Sequence, residues 1–307
     1  MPTATARSRS ALPLLGAALA LLLPSVRGAC ADSLQTITIE AQRQQQLRRE
    51  VDRFVGSTLV KPSSQESLLR WDSPVCPLVA GLTKEQAEFV LRRFSEIARA
   101  AQAPLAGESC APNLYIIATP NPSAFLELWW QRDRRLFNTR NGVAAVKRFI
   151  ATPRPVRVWY NHFAADPDAG SEIGQMLADS MGFGQGAQYP VNRQPRPASR
   201  LTYMAVRAIA SAIVVMDSQQ VGRLSVGQLA DYVSLLSLAE INLDKDVGAT
   251  PSILKVLSAP GGAAPAGLTA WDESLLHAVY SSAQKDRMQM SQIKTAVLNG
   301  IGAAAAH

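Results

Sequence analysis

Apolar residues recur every three or four positions along much of this chain, and each such segment predicts an amphipathic helix. The clearest one begins at Thr83, because Thr83 and Gln86 form a T-x-x-Q capping box. Pro104 ends it. The residues on its apolar face are Ala87, Val90, Leu91, Phe94, Ile97, Ala98 and Ala101. The sequence therefore predicts a helix with one buried face over residues 83–103.

Similar spacing, or a strong cap, predicts helices on both sides of the middle of the chain. Ser225 and Gln228 form a second capping box, Pro251 stands where a short helix would begin, and Thr269 is suited to cap another. The predicted helices cover residues 42–55, 123–132, 142–150, 171–181, 225–242, a short segment from 251, a segment after 269 and a last one over 290–301.

Strands are predicted where apolar and polar residues alternate, or where a β-rich run is bounded by turn residues. The segment 36–40 (TITIE) fits a short edge strand, 113–119 and 156–160 fit two more, and 210–217 (ASAIVVMD) fits a buried one. Residues 201–209 fit either a strand or a helix.

Strands in the middle with helices before and after predict an α+β fold with a small central sheet. We expect a single domain over residues 32–302, since no linker clearly divides the chain. Two subdomains that meet near residue 200 are the alternative. Residues 303–307 are expected to form a disordered tail.

The N-terminal residues 1–31 fit a secretory signal peptide. Arg7 and Arg9 precede an apolar run over residues 11–23. That run is shorter than the roughly 20 apolar residues that a membrane-spanning helix needs.

The expected cleavage falls before Asp32, because Ala29 and Ala31 are the small residues that a signal peptidase requires. A lipoprotein cut before Cys30 is the alternative, although Arg27 stands where that signal has a small or aliphatic residue. We therefore expect a periplasmic or secreted protein with no transmembrane segment after cleavage.

Removal of the leader changes both the charge and the cysteine count. Three arginines leave with it and no acidic residue, so the formal net charge falls from +7 to +4. This mild charge does not indicate a nucleic-acid partner. Cys76 and Cys110 remain, and an even pair in an exported protein predicts a disulfide bond. Two free thiols are the alternative.

The apolar segment 225–242 could carry a metal site, as the active-site helix of a zinc peptidase does. Such a helix needs H-E-x-x-H, since two ligands four residues apart share one face and the glutamate activates water. The matching residues here are QLADY, 228–232, so both ligands and the glutamate are missing. Asp231 is the only carboxylate there, and we expect it to meet a sheet edge, a backbone donor or an arginine, with Arg200 and Arg207 as first candidates.

Other catalytic patterns are weak. The three histidines are far apart in sequence, and no G-x-S-x-G segment is present. The best candidate is His162, which follows a predicted strand and could act with Asp166 or Asp168. A cleft that gathers His162, Asp217 and Asp231 would favour a metal-independent hydrolase, whereas scattered positions would favour a non-catalytic protein.

Basic residues are concentrated between 132 and 157, where Asp133 is the only acid. This cluster could face an anionic envelope polymer or lipid head groups, and a plain solvated surface is the alternative. Its members are Arg132, Arg134, Arg135, Arg140, Lys147, Arg148, Arg154 and Arg157. The candidate anion-binding residues are Arg154, Arg157, Arg200 and Arg207.

Several segments resemble an uncharacterised family of exported proteobacterial proteins that is distantly similar to zincin-type metallopeptidases. They are CAPNLYIIAT, SAIVVMD before the helix over 225–242, and PSIL with LTAWDESLLHAVY after it. The resemblance spans roughly residues 83–280 and implies a zincin-like scaffold. It carries over no functional residue, because the zinc motif is missing.

We therefore expect an exported envelope protein that binds a partner or ligand, or has a structural role, without catalysis. No cofactor or metal is expected, and an envelope protein or an anionic envelope polymer is the expected kind of partner. The alternative is a metal-independent hydrolase with a site around His162.

Overall fold

The computed structural model describes residues 28–137, 142–165, 205–258 and 264–305. The first 27 residues of the predicted leader, the predicted helix over 171–181, Arg200 and His307 lie outside these ranges. The chain separates into two units, residues 1–45 and 46–307. The described part of the first is helical, and the second contains the sheet.

Eight α-helices are found in the described residues. They are α1 (Gly28–Thr58), α2 (Lys84–Ala100), α3 (Pro122–Arg132), α4 (Val143–Ala151), α5 (Ser218–Val221), α6 (Val226–Leu238), α7 (Ala270–Ser281) and α8 (Gln289–Ala305). The same part of the chain contains two 3₁₀ helices, Arg134–Leu136 and Ile253–Leu257.

Within the described ranges, five strands form one sheet between the helices: β1 (Arg70–Trp71), β2 (Pro77–Ala80), β3 (Leu114–Thr119), β4 (Val156–Ala165) and β5 (Val206–Asp217). The long β5 pairs along one edge with β4, antiparallel, from Val206 opposite Ala165 to Met216 opposite Val156. Its other edge is shared by β1 and β3, both parallel to it, and β2 pairs with β3. The α+β fold in one domain, with a small central sheet, is thus confirmed.

A β-bulge interrupts the β4–β5 ladder. Asn161 pairs with Ser211 and the next residue, His162, pairs with Ile209, so Ala210 has no partner in β4. Because a bulge adds one residue to a strand, the side chains beyond it lie on the opposite face from the one that simple alternation would give them. Accordingly Ile209 packs in the same core as Ala212 and Val214.

The sheet carries a hydrophobic core on each face. The larger core joins the sheet to α2, α6, α7, α8 and the end of α1, with Phe54, Phe94 and Leu235 fully buried. The smaller core lies under α3 and α4 and includes Trp130 and Val146. Every α6 residue from Leu229 to Leu238 is buried, which confirms that this helix is interior.

The capping boxes predicted from the sequence are present. Thr83 and Gln86 cap α2, and Ser225 and Gln228 cap α6, each by hydrogen bonds in both directions. Thr269 caps α7. These hydrogen bonds occupy backbone N–H groups that a helix end otherwise leaves unpaired.

Some local predictions were wrong. The segment 36–40 belongs to α1, not to a strand, because the Gln- and Arg-rich residues after it favour a helix that extends through it. The short helix begins at Ile253, two residues later than predicted, because the hydroxyl of Ser252 caps it by accepting from the Leu254 N–H. At the other end, α8 reaches Ala305, so residues 303–305 of the predicted tail are helical.

The predicted disulfide between Cys76 and Cys110 is present, with 5.9 Å between the two Cα atoms. It links the residue before β2 to the segment before β3. Cys76 is further fixed by its backbone, since its N–H donates to Asn113 Oδ1 at 2.8 Å. The bond therefore closes the β2–α2–β3 unit.

Candidate functional site

The main candidate site is a cleft of about 750 Å³ beside the interior helix α6. Its walls come from the start of β4 and from the segments 242–248 and 254–258. The start of β4 lies at the edge of the sheet where β3 and β5 end, since Val156 pairs with Met216. Ligands of open sheets with parallel strands bind outside this carboxyl edge. We call the site the Tyr232 cleft, because Tyr232 is the α6 side chain that lines it.

Tyr232 is almost completely buried, at 5% exposure, yet its side chain lines the cleft. Its hydroxyl makes no hydrogen bond to any described residue, and it is not among the fully enclosed unpaired atoms, which are Thr58 Oγ1 and Arg157 Nε. A buried donor without a protein partner costs about 1–3 kcal/mol unless solvent or a ligand pairs with it. The Tyr232 hydroxyl is therefore accessible from the cleft and available for a hydrogen bond to a ligand.

Three basic and two acidic side chains also line this cleft: Arg154, Lys245, Lys255, Asp244 and Asp246. Arg154 forms an ion pair with Asp244. Among the described residues, neither lysine has an ion-pair partner. The arrangement thus leaves two ammonium groups and the Tyr232 hydroxyl available to a ligand.

Asx-type turns hold one wall of the cleft in place. Asn242 Oδ1 accepts from the Asp244 N–H at 3.0 Å, and Asp246 Oδ1 accepts from the Gly248 N–H at 2.9 Å. Gly248 has φ +64°, a conformation that side-chain-bearing residues rarely adopt. The Asn242 N–H donates to Thr58 O at 2.8 Å, which anchors this wall to the end of α1.

Asp231, the adjacent α6 residue, faces away from this arrangement and is fully engaged. Arg93 donates to both of its carboxylate oxygens, from Nε at 2.6 Å and Nη2 at 3.2 Å, and the Leu268 N–H donates to Oδ2 at 2.7 Å. The predicted kinds of partner, an arginine and a backbone donor, are confirmed. The arginine is not Arg207, which instead pairs with Glu240 at 3.2 Å.

Gln228, at the first ligand position of the zincin pattern, is also occupied. Its Oε1 accepts from the Ser225 N–H in the capping box, and its Nε2 donates to Pro265 O at 2.8 Å. Tyr232 is at the second ligand position. Within the described ranges, no group of three His, Cys, Asp or Glu side chains could hold a metal ion.

The structure does not gather His162, Asp217 and Asp231 into one cleft. His162 pairs with Ile209, whereas Asp217 ends β5 eight residues further on, roughly 25 Å away along the strand. Asp217 caps α5 by accepting from the Gln219 and Gln220 N–H groups. Asp166 and Asp168 lie outside the described residues.

The four candidate anion-binding arginines are likewise divided. Arg207 lies near His162 at the far end of the β4–β5 ladder, whereas Arg154 and Arg157 lie at the cleft end, and Arg200 is outside the described residues. Arg157 is buried and donates to Ser123 Oγ at 3.0 Å and Ile150 O at 2.6 Å. Burial lowers the pKa of the Arg157 guanidinium.

The other members of the basic cluster lie on and between α3 and α4. Arg132, Arg134, Arg135, Lys147 and Arg148 are exposed. Arg135 pairs with Asp133 at 2.9 Å, and the Arg134 guanidinium lies 5.1 Å from the centre of the Trp130 ring. Arg140 is outside the described residues. None of the described helices has the length and apolar character that a membrane crossing requires.

In comparisons with known proteins, no family model, curated protein or solved structure matches this chain.

Sequence reasoning identified α6 but missed the cleft beside it. Tyr232, Lys245 and Lys255 each look ordinary in their own segments, and only the fold brings them together with Arg154. The one available signal was the polar segment NLDKDVG (242–248) directly after a buried helix, since loops that follow core elements often line sites.

Proposed function

We propose that this chain is an exported protein that binds a ligand in the Tyr232 cleft without transforming it. One observation carries the proposal: a cleft of about 750 Å³ presents a buried tyrosine hydroxyl and two ammonium groups with no partner among the described residues. Binding sites are concave, mainly apolar and furnished with a few directed polar groups. Leu243, Leu254 and Leu257 supply the apolar part of the lining.

The export part of the proposal has separate support. The Cys76–Cys110 disulfide suits an oxidising compartment such as the periplasm or the extracellular space. The leader-like pattern over residues 1–31 agrees with it.

We also propose that the scaffold is a zincin-like one that lacks the zinc ligands and the glutamate that activates water. The order of β3, β5 and α6, followed by C-terminal helices, agrees with the order of two strands, a helix and a helical C-terminal part that the family resemblance implies. In this proposal Tyr232 replaces the second zinc ligand and turns the metal position into part of a ligand cleft.

Filling the cleft tests the binding function. Leu257→Trp adds a large side chain to the lining, and Leu128→Trp makes the same change on α3, where Leu128 is 50% exposed. Native mass spectrometry would follow each mature protein after incubation with a periplasmic metabolite extract. We expect the same bound, chemically unchanged compound on the wild type and on Leu128→Trp, and none on Leu257→Trp.

Two results would contradict the proposal. A compound that binds Leu257→Trp as well as the wild type places the site elsewhere. Turnover of the bound compound, with a product released over time, supports the hydrolase alternative instead.

A further inference from the structure

The charged groups of the Tyr232 cleft indicate what kind of ligand it takes, and this inference rests on the proposed function. Among the described residues, Asp244 is the only carboxylate paired with Arg154, and its side chain is 78% exposed, whereas that of Arg154 is 32% exposed. An exposed carboxylate on a loop is easily exchanged, because leaving Arg154 returns it to water at little cost. The guanidinium is the more enclosed partner and stays at the wall.

Hydrogen-bonding capacity in the cleft is biased toward donors. Arg154 has five N–H donors in a planar fork that matches a carboxylate or phosphate. Lys245 and Lys255 have no ion-pair partner within the described chain. Of the two carboxylates, Asp244 is paired with Arg154, and Asp246 already accepts from the Gly248 N–H.

Tyr232 adds a donor that keeps its proton. Burial raises the pKa of Tyr232 to about 12, with Arg154 lowering it in part. The hydroxyl is therefore neutral over the physiological range and can donate to an acceptor in the cleft.

We infer that the ligand of the Tyr232 cleft carries a carboxylate or phosphate group, which displaces Asp244 from Arg154 and accepts a hydrogen bond from the Tyr232 hydroxyl. In the absence of ligand, Asp244 occupies the position of that anionic group beside Arg154. Lys245 and Lys255 add attraction at the cleft wall and favour anionic ligands over neutral ones.

The inference can be tested with small anions alone. The probes are sodium acetate for a carboxylate and sodium phosphate for a phosphate, titrated at constant ionic strength against chloride and followed by amide chemical shifts of the mature protein. We expect saturable shifts at Gly248 and Tyr232. Arg154→Gln should weaken binding at least about tenfold, and Tyr232→Phe about fivefold, since each removes directed donors.

A matched pair of variants separates displacement from net charge. Asp244→Asn and Asp246→Asn each remove one negative charge from the same wall. Only Asp244→Asn frees Arg154, so it alone should tighten anion binding, by about fivefold. Equal tightening in both variants would mean that general electrostatics governs binding and would overturn the inference.

The remaining outcomes are also decisive. If only acetate gives saturable shifts, the anionic group of the ligand is a carboxylate. If only phosphate does, that group is a phosphate. Absence of saturable shifts with both anions refutes the inference. If Leu257→Trp still abolishes binding of the extracted compound while Arg154→Gln leaves it unchanged, the ligand is not anionic at Arg154 but the proposed binding function survives.

Discussion

At the scale of single residues, Asp231 shows how a carboxylate in a suggestive position can be structural. Its side chain is 4% exposed, and it accepts from Arg93 on α2 and from the Leu268 backbone. Gly267 must remain small beside it, since a Cβ there would lie 2.5 Å from Asp231 Oδ2. The carboxylate therefore joins α2, α6 and the segment before α7.

The two members of this ion pair should respond differently to substitution. Arg93→Met strands a buried carboxylate and should lower the free energy of unfolding by about 3 kcal/mol. Asp231→Asn leaves a guanidinium that still pairs with Glu96 at 3.4 Å and whose side chain is 34% exposed, so its cost should be about 1 kcal/mol. Urea denaturation at pH 7 measures both.

Arg99→Met is the matched control, because Arg99 is an exposed residue on the same helix. Its effect should stay within about 0.5 kcal/mol of zero. An Asp231→Asn variant less stable than Arg93→Met would show that the carboxylate has a further structural partner.

At the scale of elements, one buried carboxylate organises two helix starts. Asp272, fully buried, accepts from Ser252 Oγ at 2.6 Å, from the Ile253 N–H at 2.8 Å and from both the N–H and the hydroxyl of Thr269. These donors belong to the start of the 3₁₀ helix Ile253–Leu257 and to the cap of α7. Burial raises the pKa of Asp272, and its hydrogen bonds from Ser252, Ile253 and Thr269 offset part of this effect.

This raised pKa gives a signed pH dependence. As the pH rises above the ordinary value of 3.8, the unfolded chain loses the Asp272 proton before the folded chain does. Proton release from the unfolded state then favours unfolding, until the pH passes the folded pKa. Asp272→Asn cannot titrate, so the free energy of unfolding of the wild type relative to this variant should fall with rising pH in that window.

Parallel urea titrations of the wild type and Asp272→Asn from pH 3.5 to pH 7 would measure this difference. Subtracting one free energy of unfolding from the other cancels the contributions of other titrating groups such as Glu240. Asp272→Ala is the companion variant. It leaves the Ser252 hydroxyl and the Ile253 and Thr269 N–H groups without an acceptor, whereas the Thr269 hydroxyl can still donate to Pro251 O. It should cost about 3 kcal/mol near pH 3.5 and less as the pH rises toward the folded pKa of Asp272, because this variant does not titrate either. A difference between wild type and Asp272→Asn that grows with pH would show that the folded pKa is lowered.

Elements with local signals could be predicted from the sequence. The capping boxes at Thr83 and Ser225 and the β-rich run of β3 each depend on residues within one short segment. These elements can therefore be predicted without knowledge of the rest of the fold. β1 and β2 were missed because strands of two and four residues are too short to show alternation. The candidate site is harder still, since Arg154 and Tyr232 are joined only by the packing of β4 against β5 and α6.

At the scale of the whole molecule, the disulfide and the predicted leader both favour maturation in an oxidising compartment outside the cytoplasm. The bond closes a loop of 34 residues, worth about 4 kcal/mol in the chain-entropy model. Produced with its leader in a Gram-negative bacterium, the chain should be recovered from the periplasm beginning at Asp32 and oxidised at Cys76 and Cys110. Intact mass spectrometry without reductant shows both features.

Reduction of the disulfide should lower the free energy of unfolding by about 4 kcal/mol, as measured in urea with and without dithiothreitol. The Cys76→Ser, Cys110→Ser double variant is the control, since reductant should not affect it. A lipid-modified Cys30 would contradict the cleavage site, and unchanged stability on reduction would contradict the role of the bond.

The pairing of Ala165 with Val206 has an evolutionary consequence. β4 ends at Ala165 and β5 begins at Val206 directly opposite it, so the two ends of the connection lie side by side. The entropy of closing a connection grows only with the logarithm of its length, about 0.6 kcal/mol for each doubling. We therefore expect insertions or deletions in this connection to leave the register of both strands unchanged, which would allow its length to vary during evolution while the sheet is inherited intact.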